Sequence, residues 1–140
     1  AKLYKDKKPA EILNYDEKGD LAVLTTKIKL PILELSENPP YPGYWVMALG
    51  SAGAYEGSVA FGNVLNVTNE DILITNNISE GNSGGALIDN EGKVIGVVTW
   101  GMDYKTDQYN GASILDVACV KILKCQYEFD TEKTWFDYNW

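Results

Sequence analysis

From Trp45 onward the apolar residues arrive only in short runs, and that punctuation constrains the fold more than any other feature. The runs are Trp45–Leu49, Gly57–Val67, Ile72–Thr75, Ala86–Asp89 and Val94–Trp100, with Leu21–Leu24 ahead of them. Each is rich in Val, Ile, Leu or aromatic residues, and Gly, Asn, Asp or Ser breaks the pattern every 8–12 residues. Short runs at such a spacing predict an all-β chain built as an antiparallel barrel or sandwich. One helix is expected, over Val117–Lys124. Asp116 is placed to cap it, Val120, Ile122 and Leu123 give it an apolar face, and its lysines suit the C-terminal end of the dipole.

Bulk properties remove several function classes. At 140 residues the chain is one domain's worth, long enough to bury roughly two-thirds of its unfolded surface. Its net charge is −8 and its only basic cluster is Lys5-Asp6-Lys7-Lys8, so a nucleic-acid backbone would be repelled. No apolar run approaches the ~18 residues that a membrane span requires. Cys119 and Cys125, on one helix, would lie ~9 Å apart along its axis, too far for a disulfide. With no histidine in the chain and the cysteines so spaced, a structural zinc site is not expected. The triplets Asn66-Val67-Thr68 and Asn77-Ile78-Ser79 would matter only in a glycosylating secretory route.

Chemistry concentrates in Gly81-Asn82-Ser83-Gly84-Gly85, which runs straight into two apolar runs joined by an Asp-Asn-Glu-Gly turn. A serine nucleophile needs exposure on a tight turn, backbone N–H groups aimed at a developing oxyanion, and a neighbouring base. Glycines permit the positive-φ conformations that turn successive N–H groups to one side, and they leave room for a substrate carbonyl. By residue type alone, the same stretch also fits a glycine-rich β-turn with Ser83 merely solvated.

The longer stretch "GNSGGALIDNEGKVIGVVTWG" resembles the nucleophile region of the trypsin-like serine peptidases, most closely the bacterial Deg/HtrA-like branch. "ILNYDEKGDLAVLTTK" is similar to the segment carrying that family's triad aspartate. "PGYWVMALGSAGAYEGSVAFGNV" fits the opening hairpin of the second barrel, and "NGASILDVACVKIL" the closing strand and C-terminal helix. The resemblance covers roughly residues 1–124. It implies a double β-barrel with an incomplete first barrel and one short C-terminal helix. Residues 1–35 would be what remains of the first barrel, and 36–44, holding three of the five prolines, a linker. Residues 45–125 would form the second barrel with its helix, and 126–140 an aromatic and acidic tail.

Residue by residue, the resemblance implies Ser83 as nucleophile, Asp20 as the carboxylate that orients the base, and the Gly81 and Ser83 N–H groups as the oxyanion hole. Thr99, Trp100 and Gly101 would form the strand that pairs with an extended polypeptide substrate. Asn77 and Ile78 would lie at the base of the primary specificity pocket, with Trp100, Gly111 and Ala112 setting its depth. A neutral Asn77 there disfavours a buried Arg or Lys of the substrate. The resemblance likewise implies no metal or cofactor, and the family favours a secreted or cell-envelope setting.

In this family the triad runs His, Asp, Ser along the chain. Only nineteen residues precede Asp20, and none is histidine. The expectation is therefore a serine endopeptidase represented by its Asp- and Ser-bearing part, inactive by itself. A separate N-terminal fragment or second chain would supply the histidine and the missing strands. Lys93, across the hairpin turn, is not placed to replace that base. The alternative is a non-catalytic domain of the same fold, acting as a peptide-binding or assembly module.

Overall fold

The computed structural model describes residues 2–3, 8–38, 40–69, 71–100, 110–115 and 118–123. Gly101, Asp116, Cys125 and the tail 126–140 lie outside the described residues, so the expectations placed on them are not addressed by the structure. The elements in chain order are β1 (Lys2–Leu3), β2 (Lys8–Pro9), β3 (Glu11–Asp16), β4 (Leu21–Thr25) and β5 (Trp45–Gly50). A 3-10 turn at Ala52–Ala54 follows, then β6 (Ser58–Val67), β7 (Asp71–Ile74), β8 (Ala86–Ile88), β9 (Val94–Trp100) and β10 (Asn110–Ile114). A π-helix at Ala118–Leu123 ends the described chain.

Strands β5 to β10 close into a six-stranded antiparallel barrel, in the order β10-β7-β6-β5-β8-β9. The period of two along each strand fills its interior. Val46 and Ala48 point inward from β5, Val64 from β6, Ile72 and Ile74 from β7 and Leu87 from β8, all 2% exposed or less. Closure gives every barrel strand a hydrogen-bonded neighbour on each side over at least part of its length. The all-β class inferred from the broken apolar runs is the one observed.

Ahead of the barrel, β3 and β4 pair as a two-stranded antiparallel hairpin, Ile12 opposite Leu24 and Asp16 opposite Leu21. Leu21 and half-buried Val23 join the main core cluster together with Ile122. The segment between hairpin and barrel, residues 26–44, is tied at its middle and at its end. At its middle, the Ser36 N–H donates to the Val94 carbonyl and the Val94 N–H to the Glu34 carbonyl, each at 2.8 Å. At its end, the Val64 N–H donates to the Tyr44 carbonyl at 2.8 Å.

The helix expected over Val117–Lys124 forms at Ala118–Leu123 with the wider π winding. Val120 and Ile122 are β-branched and weak α-formers, so packing decides the turn. Ile122 is buried against the hairpin, and Asn14 Nδ2 lies 3.5 Å from the Ile122 carbonyl.

Candidate active site

The loop from Ser79 to Gly85 leaves β7 and enters β8, and main-chain bonds hold it on two sides. Toward the β5–β6 connection, the Ser51 N–H donates to the Gly81 carbonyl at 3.0 Å, and the Gly53 N–H to the Glu80 carbonyl at 2.9 Å. Toward β9, the Gly84 N–H donates to the Val98 carbonyl at 2.7 Å, and the Val98 N–H returns a bond to the Gly85 carbonyl at 2.9 Å. Gly81 and Gly84 sit at φ 95° and 84°, a region that residues with a Cβ adopt only under strain. A Cβ on Gly81 would come within 2.1 Å of the Ser51 carbonyl oxygen, and one on Gly85 within 1.9 Å of the Leu49 carbonyl oxygen. Both glycines are required by close backbone approach.

Within this frame Asn82 is buried, at 2% exposure, while Ser83 next to it faces solvent. The Asn82 N–H is occupied by the Ser79 carbonyl at 3.1 Å. The Gly81 and Ser83 N–H groups have no acceptor among the described residues. Two amide donors without an acceptor, the serine's own N–H and that of Gly81 two residues before it, thus stand at a sequence spacing suited to binding an oxyanion.

Asp20 lies at the end of the β3–β4 turn, in the left-handed region at φ 51°. Asp16 builds that turn, its Oδ2 accepting the Gly19 N–H at 2.7 Å, and the Asp20 N–H donates to the Glu17 carbonyl at 3.2 Å. The turn is fastened to the barrel by a residue not singled out from the sequence: buried Ser113 of β10, whose hydroxyl donates to the Gly19 carbonyl. Ala112 beside it faces the barrel core, so Ser113 faces outward under the hairpin turn. A small polar residue among apolar neighbours in "GASIL" was the only signal available. In the ladder, Ser113 pairs with Val97 and Ala112 with Val98. Val98 also receives Gly84 and Gly85, so Ser113 and Gly84 stand about two strand spacings, ~10 Å, apart. The β9–β10 ribbon therefore carries both the Asp20 turn and the Ser83 loop.

Beyond Val98 no described strand pairs with β9 on its Ser83 side, which leaves the backbone of Thr99 and Trp100 as an open edge there. Asn77 is exposed and Ile78 half-buried against the core. Gly111 and Ala112 are buried, Ala112 inside the barrel. Lys93 is at the opposite end of β8 from Ser83, roughly 15–20 Å of extended chain away, and pairs with Glu91 at 3.6 Å. Among the described residues no cluster of carboxylates and cysteines has the makings of a metal site, and no helix is long and apolar enough to cross a membrane.

The chain is similar to known proteins in both sequence and fold. The sequence model of a family described as "Trypsin-like peptidase domain" matches residues 3–97. The chain is 35% identical over 105 residues to serine protease HTRA1 of Xenopus tropicalis, covering 64% of this chain and 23% of that protein. It is 38% identical over 98 residues to a probable periplasmic serine endoprotease, DegP-like, of Hahella chejuensis, covering 63% and 21%. The chain thus spans between a fifth and a quarter of the length of these relatives. Among solved structures, a serine endoprotease from Yersinia pestis superposes with a TM-score of 0.72 at 27% identity, over 82% of this chain and 43% of that one. The structure of an HtrA-type protease with a decapeptide gives 0.68 at 28% identity, over 78% and 38%.

Proposed function

This chain belongs to the trypsin-like peptidase domain family, and from that premise we propose that it is the Ser83-bearing part of a serine endopeptidase acting on polypeptides. Ser83 Oγ attacks the scissile carbonyl, and the Gly81 and Ser83 N–H groups stabilise the oxyanion of the tetrahedral intermediate. The amine leaves with a proton from the general base, and water then hydrolyses the acyl-enzyme. Asp20 orients that base, an imidazole supplied by a segment outside these 140 residues. That segment also packs on the β3–β4 hairpin. The observation that carries the reading is the exposed serine whose own N–H and that of Gly81 have no acceptor among the described residues, on a loop held from both sides.

The substrate is taken as an extra strand along Thr99–Trp100 and on to Gly101. Its residue before the scissile bond enters a pocket based on Asn77 and Ile78. With no carboxylate at that base, small or medium apolar residues, or Gln- and Asn-like ones, are preferred over Arg and Lys.

The absence of histidine from the 140 residues favours the second reading, a peptide-binding module without turnover. Labelling with a serine-directed fluorophosphonate separates the two. The chain alone is expected to label slowly. Adding a histidine-bearing N-terminal segment of the family should accelerate labelling by several orders of magnitude, the scale of a triad member's contribution. Ser83→Ala should abolish it. Labelling that stays slow after the hairpin has bound that segment favours the binding module.

A further inference from the structure

Three strands meet at the end of the barrel where Asn77 lies. β10 runs between β7 and β9. Its first residue, Asn110, is opposite Ile74 of β7, and Gly111 next to it is opposite Trp100 of β9. From there the Asn110 side chain reaches along the exit of β7, and its Nδ2 donates to the Asn76 carbonyl at 2.6 Å. That carbonyl belongs to the peptide that leads into Asn77, the proposed base of the substrate pocket. A half-buried carboxamide therefore lies across the space between β10 and the Asn76–Asn77 peptide. Gly111 and Ala112 are too small to close that space, and Asn110 is the β10 residue that spans it.

We propose that Asn110 is a specificity-determining residue of this pocket. Its carboxamide closes the floor, so the residue before the scissile bond is Ala- or Ser-sized, and Leu and Phe are excluded. The proposal rests on the peptidase reading for where that side chain enters, and it narrows the side chains accepted there to the smallest. A larger one would have to displace Asn110 from the Asn76 carbonyl, leaving a buried acceptor unpaired. Asn76 cannot yield instead, because it is fixed from the opposite side. Its Nδ2 donates to the Val46 carbonyl at 3.2 Å and the Ala60 carbonyl at 2.8 Å. Thr75 before it is tied to β6, its N–H on the Asn63 carbonyl at 3.0 Å and its Oγ1 accepting the Asn63 N–H at 2.9 Å. Shortening Asn110 therefore opens space at the floor and leaves Asn76 where it is. A pocket that fits or rejects one methylene discriminates by roughly 10–200-fold.

Titrating isotope-labelled 140-residue chain at low salt with N-acetyl-Ala-Ala-Ala-Xaa N-methylamide peptides, Xaa being Ala, Leu or Phe, tests the proposal by NMR. The shifts of the Asn77, Gly81 and Ser83 backbone amides report binding, so the answer does not depend on turnover. The parent is expected to bind the Ala peptide at least about tenfold more tightly than the Leu or Phe peptide. Asn110→Gly should move that ratio toward Leu by about tenfold or more. Asn110→Ala should move it in the same direction and guards against loss of β10 in the first variant. Asn110→Gln keeps a carboxamide at the floor and should keep the preference for Ala. The proposal is overturned if the parent binds Leu as tightly as Ala, or if neither shortened variant moves the ratio. Equal loss of all three peptides in both variants also overturns it, since that marks a purely structural residue. So does a parent that binds none of them; fluorophosphonate labelling then decides separately whether Ser83 is a nucleophile.

Discussion

Buried polar side chains show how individual residues organise this barrel. Asn76 is 0% exposed, yet its Nδ2 donates to the Val46 carbonyl at 3.2 Å and the Ala60 carbonyl at 2.8 Å. One carboxamide thereby links β5 and β6 from inside, immediately before the Asn77 proposed for the substrate pocket. Asp89 works the same way in the β8–β9 turn, its Oδ1 accepting the Glu91 and Lys93 N–H groups, both at 2.9 Å. Beside it, Tyr44 is buried with its hydroxyl 3.3 Å from Asn90 Oδ1. Burial, reinforced by the nearby charges of Asp89 and Glu91, pushes the Tyr44 phenol up to about 12. The neutral phenol is therefore favoured in the folded state. Its contribution to stability is complete below the unfolded value near 10 and is lost as pH rises toward 12. Urea denaturation across that range should show a decline that is shallower in Tyr44→Phe. Near pH 7 the variant should be less stable by about 1 kcal/mol, the net worth of one hydrogen bond. Parallel pH profiles for the two proteins would assign the alkaline decline to other tyrosines.

Strands with unbroken alternation or tight turn signals were legible as elements. Val94–Trp100 is observed with the bounds its residues suggest, and Trp45–Leu49 and Gly57–Val67 shift by one residue at one end. The Asp-Asn-Glu-Gly turn also forms as expected, with the Gly92 N–H on the Asp89 carbonyl and Gly92 at φ 77°. Strand β3 was not anticipated, because adjacent Ile12 and Leu13 break the alternation and its pairing with β4 carries a register shift. The coupling of the hairpin to the barrel was equally invisible, since it depends on the hydroxyl of Ser113 meeting Gly19, 94 residues away. The proposed Ser83 and Asp20 roles came from motif likeness, whereas their relative placement follows from the β9–β10 ribbon. Ser113→Ala therefore tests an element-level link. It should destabilise the hairpin by about 1–3 kcal/mol, because the Gly19 carbonyl loses its donor in a buried position. Amide hydrogen exchange at Gly19 and Asp20 should quicken while the barrel strands keep their protection. Unchanged exchange at Asp20 would mean that the turn is held by Asp16 alone.

At the scale of the molecule, a well-filled barrel adjoins a thinly covered hairpin. Neighbouring residues on a strand face opposite sides, and Ile12 and Leu13 of β3 are 61% and 63% exposed. Neither face of the hairpin is therefore covered at that end. The segment after β4 adds Leu30, Ile32, Leu33 and Leu35, with Ile32 at 89% exposure. Apolar surface of this kind drives association, while a net charge of −8 opposes it. The balance predicts self-association that strengthens as salt screens the charge, the reverse of contacts made by ion pairs. Sedimentation of the 140-residue chain at tens of micromolar should show a mass that rises between low and high ionic strength. The pair Ile12→Glu and Ile32→Glu, both at exposed positions, should return it to a monomer at either salt without lowering the barrel's stability. The histidine-bearing segment, if it packs where proposed, should suppress association in the parent chain by covering the same residues. A parent chain that sediments as a monomer at high salt would show that these apolar side chains are too dispersed to form a contact, and the hairpin would then offer that segment little apolar binding surface.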